Sequence, residues 1–126
     1  MEYALLIYMD ESEVTDATPE QIEGHADAFA VYVRELMDRG VIRGGVPLQP
    51  KTVATTVKVR DGKTLTTDGP FMETKEGLAG FYLVEAKDLD EAIELASKIP
   101  AAHSGSIEVR PVWQQMVDMV GKRVGA

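Results

Sequence analysis

The sequence contains no cysteine and no long hydrophobic run. The lack of cysteine excludes disulfides, thiolate metal sites and a thiol nucleophile, and it fits the reducing cytoplasm, which is the location we predict. The apolar stretch Tyr3 to Met9 is too short to span a bilayer, and no basic segment precedes it as in a signal peptide. We therefore predict a buried first strand and no membrane association.

Basic residues and histidines are also scarce. The chain has 13 Lys and Arg against 21 Asp and Glu, a formal net charge of −8, and the cations are dispersed. Because nucleic-acid binding needs a basic face, we predict no nucleic-acid partner. The two histidines follow no metal-binding spacing, and Gly44-Gly45 alone is not a phosphate loop. We predict no metal site and no cofactor.

What is present is the composition of one soluble globular domain. The chain has 126 residues, of which 44% are hydrophobic and 27% are charged, and a chain of this size can bury its own core. We predict a single domain over residues 1–113 and a tail over residues 114–126. The apolar side of Trp113 to Val120 allows a short helix in that tail.

The first half of the chain predicts a strand, a helix and an irregular strand. Thr18, Pro19 and Gln21 have the spacing of a capping box with proline in the first helical position. The helix then runs to Arg39-Gly40, and Val41 to Pro50 follows as a strand interrupted by two glycines. Such glycines mark a bulge or a close approach of another backbone. The apolar stripe of the helix consists of Ile22, Ala26, Phe29, Val33 and Leu36.

The second half predicts a hairpin, a strand, a helix and a last strand. Thr55 to Thr67 form the hairpin around Asp61-Gly62, and we favour a three-residue loop. That loop would place Val57, Val59 and Leu65 on one face of the hairpin. The elements that follow are the strand Ala79 to Ala86, a helix from Asp88 to Pro100, and the strand Ser106 to Val112.

This order predicts an α+β fold, a ferredoxin-like βαββαβ sandwich with an extra hairpin before the third core strand. Both helices cover one face of a four-stranded antiparallel sheet. An uncovered apolar face implies a partner, so we predict a homodimer through the open sheet face, with a barrel-like centre. The residues expected on that face are Leu5 or Leu6, Ile7, Phe81, Leu83 and Val109.

The stretch Asp68 to Glu76 is the first candidate site. Gly69 and Pro70 fix a sharp bend there. Asp68, beside Phe71 at the edge of a cleft, could act as a general acid or base, or it could cap its own turn by accepting backbone N–H groups. Within reach of Tyr8 or of a histidine, Asp68 would gain a partner for proton transfer.

Three further residues are candidates for the site. His25 lies on the rim of the helical stripe, where it could act with Asp68 as a catalytic pair, or be solvated or bonded to a backbone carbonyl. Lys75 and Arg110 could hold an anionic ligand, or they could pair with neighbouring glutamates at positions 73, 76 and 108.

Several stretches together resemble the YCII-related family, in its DGPF-motif branch. The resemblance rests on the following segments: Asp68 to Glu76, Gly80 to Leu83, Ile107 to Val112, Tyr3 to Tyr8, Gly40-Val41, Gly44-Gly45 and Leu48 to Pro50. It implies a dimeric α+β barrel. For relatives it implies an acid/base function with a His and an Asp, and an association with extracytoplasmic-function sigma factors. Val46 stands where the family pattern has Glu, so a site built on two carboxylates would lack one.

Two hypotheses about function follow. In the first, the protein is a small-molecule enzyme that binds an organic acid or ketone and uses Asp68 and His25 for proton transfer, with Tyr8, Phe71, Lys75 and Arg110 as binding residues. In the second, it is a non-catalytic ligand-binding or interaction module linked to sigma-factor regulation.

Overall fold

Residues 1–125, which the computed structural model describes, form six strands and four α-helices. Two 3₁₀ turns, Lys51–Val53 and Pro100–His103, connect some of these elements. The order of the strands and α-helices is β1 (Glu2–Asp10), α1 (Ser12–Thr15), α2 (Pro19–Asp38), β2 (Ile42–Pro47), β3 (Thr55–Arg60), β4 (Lys63–Asp68), β5 (Glu76–Glu85), α3 (Leu89–Ser97), β6 (Ser106–Pro111) and α4 (Gln114–Val124).

Four of the strands form one antiparallel sheet in the order β2-β5-β1-β6. This is the strand order of a ferredoxin-like βαββαβ unit, so the predicted α+β fold is confirmed. The remaining strands, β3 and β4, pair only with each other as a separate hairpin that precedes the third strand of the sheet.

The core lies between the helices and one face of the sheet. Burial alternates along β1, where Tyr3, Leu5, Ile7 and Met9 are buried. Burying these apolar side chains against the helices is the main favourable contribution to folding. The helices and β5 complete the core with Tyr32, Leu36, Val84, Ala92, Leu95 and Ala96.

The strand register corrects the expected open face. Leu5 pairs with Val109, and both belong to the core side with Ile7. The prediction that Ile7 and Val109 lie on the open face is therefore wrong. Leu6 pairs with Phe81 on the open face. Because β1 is apolar at nearly every position, its pattern could not show which alternate set of residues faces the helices.

The hairpin turn is also different from the expected one. Arg60 pairs with Lys63, which leaves a two-residue turn of Asp61 and Gly62. Both residues have positive φ, 51° and 74°, as in a type I′ turn. Aspartate tolerates this conformation because its short polar side chain bonds locally, so the predicted three-residue loop is wrong.

The shorter turn changes which hairpin residues share a face. Leu65 pairs with Lys58, whereas Val57 and Val59 alternate with Lys58 on the other face. The prediction that Leu65 shares a face with the two valines is therefore wrong. The hairpin has one face with valines and threonines and another with all three of its cations, Lys58, Arg60 and Lys63.

The signals at the ends of α2 are confirmed. The Thr18 hydroxyl accepts a hydrogen bond from the Gln21 backbone N–H at 3.1 Å, and the Gln21 side chain accepts one from the Thr18 N–H at 2.9 Å. Pro19 occupies the first helical position. At the other end, Gly40 follows the helix with a φ of 68°.

Two helical segments go beyond the expected ones. Ser12–Thr15, part of a stretch expected to be a polar loop, forms the single turn α1. In the tail, α4 extends over Gln114–Val124, beyond the predicted end at Val120.

The glycines of β2 behave as predicted. The pairing of β2 with β5 shifts register between Ile42 and Gly44, which marks a bulge. A Cβ atom on Gly45 would lie 2.4 Å from the Phe81 carbonyl oxygen, so only glycine allows this close approach.

Candidate functional site

The N-terminal half of α2 stands away from the sheet. Of the apolar residues on this helix, only Tyr32 and Leu36 are buried, and both belong to its C-terminal half. Ile22, at the start of the stripe, is 50% exposed. The gap beneath this half of the helix is a cavity of about 420 Å³.

The walls of this cavity are almost entirely apolar. Its volume falls in the range of roughly 300–1,000 Å³ that is usual for small-molecule sites. Val46, the position at which the family resemblance leads us to expect Glu, is among the lining residues. The main side chains of the wall are Ile7, Met9, Val14, Ile22, Ala26, Phe29, Val46, Leu48 and Tyr82.

His25 lies at the border between this cavity and a polar cleft. It lines the apolar cavity beside Phe29 and Ile22, and it also lines the cleft formed with Glu13 and Ser104. Of the described residues around the apolar cavity, His25 alone can carry a positive charge. An imidazole in this place can bind an anionic or carbonyl group of a ligand whose body fills the cavity.

Tyr82 contributes the second polar group of the cavity wall. Its ring packs against Tyr32 with the centroids 5.3 Å apart. Burial raises the pKa of Tyr82 further above neutral pH, where its phenol is in any case protonated and can donate a hydrogen bond. No motif in the sequence marks Tyr82 as a lining residue.

A larger polar cleft of about 570 Å³ lies at the end of β1. It brings together two predicted binding residues, Tyr8 and Lys75. The other charged residues of the cleft are Asp10, Glu13 and Glu76, so its character is acidic. Ser106 donates a hydrogen bond to the Glu76 carboxylate at 3.0 Å, which fixes one wall.

Asp10 is the most constrained carboxylate of this cleft. It accepts hydrogen bonds from the Ser12 backbone N–H at 3.0 Å and from the Ser12 hydroxyl at 2.8 Å. These bonds, and then the nearby charges of Lys75 and Lys51, lower the pKa of Asp10. Asp10 is therefore an anion at neutral pH and a poor proton donor.

Asp68 lies away from both cavities. It is the last residue of β4, exposed and paired with Thr55 in the hairpin. Within residues 1–125 its carboxylate accepts no hydrogen bond, and the turn is closed instead by the Gly69 N–H, which donates to the Ala54 carbonyl at 2.7 Å. Within one chain, Asp68 therefore lines neither the cavity of His25 nor the cleft of Tyr8.

Phe71 is likewise exposed, at 72% of its surface. The Lys58 ammonium lies 4.9 Å from the centre of its ring, within the range of a cation–π contact. Phe71 thus contacts the base of the hairpin and lines none of the cavities described above.

Arg110 lies on the open sheet face, in register with Ala4. Its Nε is 3.2 Å from a carboxylate oxygen of Glu108, and the other oxygen of Glu108 accepts from the Tyr8 hydroxyl at 3.4 Å. Of the two alternatives for Arg110, pairing with a neighbouring glutamate is the one observed. Tyr8 and Arg110 meet through Glu108.

Glu11 was not anticipated from the sequence. It accepts a hydrogen bond from the Lys51 backbone N–H, while the Lys51 ammonium lies 3.8 Å from the other carboxylate oxygen and 3.6 Å from Glu73. Gly77 leaves room for the Glu11 carboxylate, since a Cβ there would lie 3.1 Å from it. This network ties the stretch that follows Asp68 to the end of β1.

Two general features complete the description. Across residues 1–125, no group of three or more His, Cys, Asp or Glu side chains is placed to hold a metal ion. None of the helices in that range is long and apolar enough to cross a membrane.

The strand order and the cavity beneath α2 define an α+β protein of the ferredoxin-like class. Comparison with known proteins gives the family. The model of the YCII-related domain matches residues 1–116, and the chain belongs to this family. An uncharacterized protein of Rhizobium meliloti (strain 1021) is 39% identical over 114 residues, which cover 89% of this chain and 92% of that protein.

Proposed function

We propose that this protein binds a small, mainly apolar organic molecule in the cavity beneath α2, with His25 as its polar contact. The observation that carries the proposal is the cavity of about 420 Å³, whose apolar wall has a histidine at its edge. Sites of this kind take the body of a ligand into the apolar part and fix its orientation with a few polar groups.

The chemistry of the wall suggests the class of ligand. Met9, Ile22 and Phe29 suit an aromatic or branched aliphatic body. His25 suits a carboxylate or a ketone oxygen at one end of that body. Val46 adds to the apolar wall where a glutamate would have repelled a carboxylate. An organic acid or ketone with an apolar body fits these features.

Catalysis is the more demanding form of the proposal. His25 would transfer a proton to or from the ligand, with Asp68 as the second group of the pair. Asp68 lies on the hairpin, outside the cavity of its own chain. Proton transfer by this pair therefore requires an Asp68 that comes from another copy, whereas binding requires His25 and the cavity alone.

A pair of tryptophan variants tests the binding site. Ile22→Trp fills the cavity, whereas Val31→Trp adds the same side chain to an outward position of the same helix, where Val31 is 73% exposed. In a thermal-shift screen of aryl and branched aliphatic carboxylates and ketones, compounds that stabilise the native protein should stabilise Val31→Trp and not Ile22→Trp. At a hundred times Kd the stabilisation is about 2.7 kcal/mol. Equal stabilisation of both variants would show that the compounds do not bind in this cavity.

The catalytic form has a separate test. Asp68→Asn keeps the shape of the side chain and removes its acid/base function. A bound compound that is turned over by the native protein should bind to this variant without turnover. If the bound compounds are not converted by the native protein at all, the binding function stands and the enzyme hypothesis is lost.

We also propose that the protein is a cytoplasmic homodimer that associates through the open sheet face. Leu6, Phe81 and Leu83 give this face its apolar character, and each of them is only partly buried within one chain. A second copy would bury it in a two-fold arrangement. Sedimentation equilibrium should give twice the chain mass of 13.8 kDa, and a single-chain mass at all concentrations would exclude the dimer.

A second candidate function is an interaction module that acts beside a sigma factor. The exposed apolar side of α4 supports it, since Trp113 and Val117 are 64% and 53% exposed. Tagged protein at micromolar concentration should then retain a sigma factor. Failure to retain one would leave this candidate without support.

A further inference from the structure

We infer that the β3–β4 hairpin is an exchanged arm, which packs its valine face on a second copy of this chain and carries Asp68 to that copy. The inference rests on the proposed homodimer and goes beyond it, because it gives the hairpin a role in the interface. It also makes the partner the source of the aspartate for the proposed catalytic pair.

The hairpin has little support from its own chain beyond the Lys58–Phe71 contact and the bond from Thr56 to the Gly69 carbonyl at its base. Neither of its strands is hydrogen-bonded to the four-stranded sheet. None of the residues in β3 and β4 is buried, and Thr56 alone is partly covered. A two-stranded hairpin is at best marginally stable in water by itself. Another surface must therefore cover it.

The two faces of the hairpin differ in character. One face carries Val57 and Val59, which are 61% and 60% exposed, opposite Thr66 and Thr64. The other face carries Lys58, Arg60 and Lys63, together with Leu65. Exposed β-branched side chains on a strand pair suit packing against another protein surface, whereas three cations suit solvent. The valine face is the docking face.

Asp68 belongs to this docking face. It pairs with Thr55, which lies two residues before Val57 on the same strand and therefore points to the same side. Docking of Val57 and Val59 thus brings Asp68 to the surface of the other copy. This placement accounts for the absence of Asp68 from the cavities of its own chain.

The exposed area identifies a second copy as the occupant. The chain has an accessible surface of 8795 Å². A compact monomer of this mass exposes only about 6,600 Å². If each of two copies buried the excess, the total would lie in the range of roughly 2,000–5,000 Å² that is typical of obligate dimers.

A second copy also offers a matching surface. In α4 no residue is buried, and Met116, Val117 and Val120 form an exposed apolar side. In a two-fold dimer each copy contributes the same surfaces, so the hairpin of each copy can contact α4 of the other. The hairpin and α4 of each copy can therefore supply the area that a dimer would bury.

Paired hairpin variants test the arm. Val57→Asp/Val59→Asp places two charges on the docking face, and Leu65→Asp/Thr67→Asp places two charges on the opposite face as the control. Sedimentation equilibrium should show at least about a hundredfold increase in the dimer Kd for the first variant and less than about threefold for the control. Circular dichroism should show that the rest of the domain stays folded in both variants, because the hairpin contributes no residue to the core.

Thiol labelling adds a second measurement, since the chain has no cysteine of its own. The labelling rates of Val59→Cys and Asp68→Cys should fall as the protein concentration rises through the dimer Kd, and that of Leu65→Cys should not.

The two tests together separate the hairpin proposal from the homodimer. If the native protein is a dimer and the docking-face variant dimerises as tightly as the control, the hairpin proposal is wrong and the homodimer is retained. A native protein that stays monomeric overturns both. Ligand binding in the Ile22→Trp test is independent of either result.

Discussion

Tyr32 joins two helices by one buried hydrogen bond. Its hydroxyl donates to the Leu95 carbonyl at 2.9 Å, and the residue is only 4% exposed. Leu95 lies in the last turn of α3, where helix carbonyls lack an intrahelical partner. We expect Tyr32→Phe to lower the free energy of unfolding by about 1–2 kcal/mol in urea titrations, because it leaves this carbonyl unsatisfied. Tyr8→Phe, at a partly exposed tyrosine, is the control and should change it by less than about 0.5 kcal/mol.

The same tyrosine predicts a response to alkaline pH. Burial raises the pKa of Tyr32 above its ordinary value of 10.0, and the nearby Tyr82 and Glu35 add to the effect. Because the folded-state pKa is the higher one, this stability is fully present below about pH 10 and is lost as the pH rises beyond it. The free energy of unfolding should fall less steeply above pH 10 in Tyr32→Phe than in the native protein. Equal slopes would contradict this assignment.

Single residues differ in how well the sequence predicts them. Thr18, Gln21 and Gly40 were placed correctly because a helix end requires particular side chains within a few residues of it. Glu11 was not predicted, because its partner Lys51, which also pairs with Glu73, is far away along the chain. The neighbours of His25 in the helix followed from the helical period, but the cavity beside it did not.

Among the elements, β2 depends on one of its two adjacent glycines more than on the other. A Cβ on Gly45 would lie 2.4 Å from the Phe81 carbonyl oxygen, and the φ of Gly45 is 139°, whereas a Cβ on Gly44 would meet nothing within 4 Å. We expect Gly45→Ala to destabilise the protein by about 2–4 kcal/mol through the loss of β2–β5 pairing. Gly44→Ala is the matched control and should stay within about 1 kcal/mol of the native protein. Comparable losses in both would mean that the close approach is not what holds β2.

The local pattern predicted the type of each element, but it often did not predict which face of that element is buried. The apolar period of α2 predicted a helix with a buried stripe, yet Ile22 and Phe29 border a cavity. The period shows which residues share a face of the helix, but not how closely the sheet packs against that face. The Asp61-Gly62 dipeptide marked the hairpin turn correctly. Choosing a register by grouping Leu65 with the valines was the mistake, since an isolated hairpin has no core that fixes its faces.

At the scale of the whole molecule, the rules for how consecutive strands and helices connect made the fold predictable, but they did not locate the site. The order of strands and helices leaves few topologies, and the observed sheet is the one that these rules favour. The proximity of Tyr8 and Lys75 follows from the pairing of β1 with β5, since Asp10 pairs with Glu76. The distance between His25 and Asp68 depends on where the hairpin points, and local sequence does not encode that direction.

The net charge of the whole molecule predicts how the proposed dimer responds to salt. Each copy carries a formal charge of −8, so two copies repel at low ionic strength. Salt shortens the Debye length from about 30 Å at 0.01 M to about 10 Å at 0.1 M, and the apolar contacts do not weaken in that range. The dimer Kd from sedimentation equilibrium should therefore fall severalfold between these two conditions.

A charge variant supplies the control for this salt effect. Glu20→Gln/Glu23→Gln removes two exposed charges from α2, which belongs neither to the docking hairpin nor to the open sheet face. It should dimerise more tightly than the native protein at low salt and respond less to added salt. A dimer that weakens as salt is added would mean that ion pairs across the interface outweigh the mutual repulsion of two acidic chains.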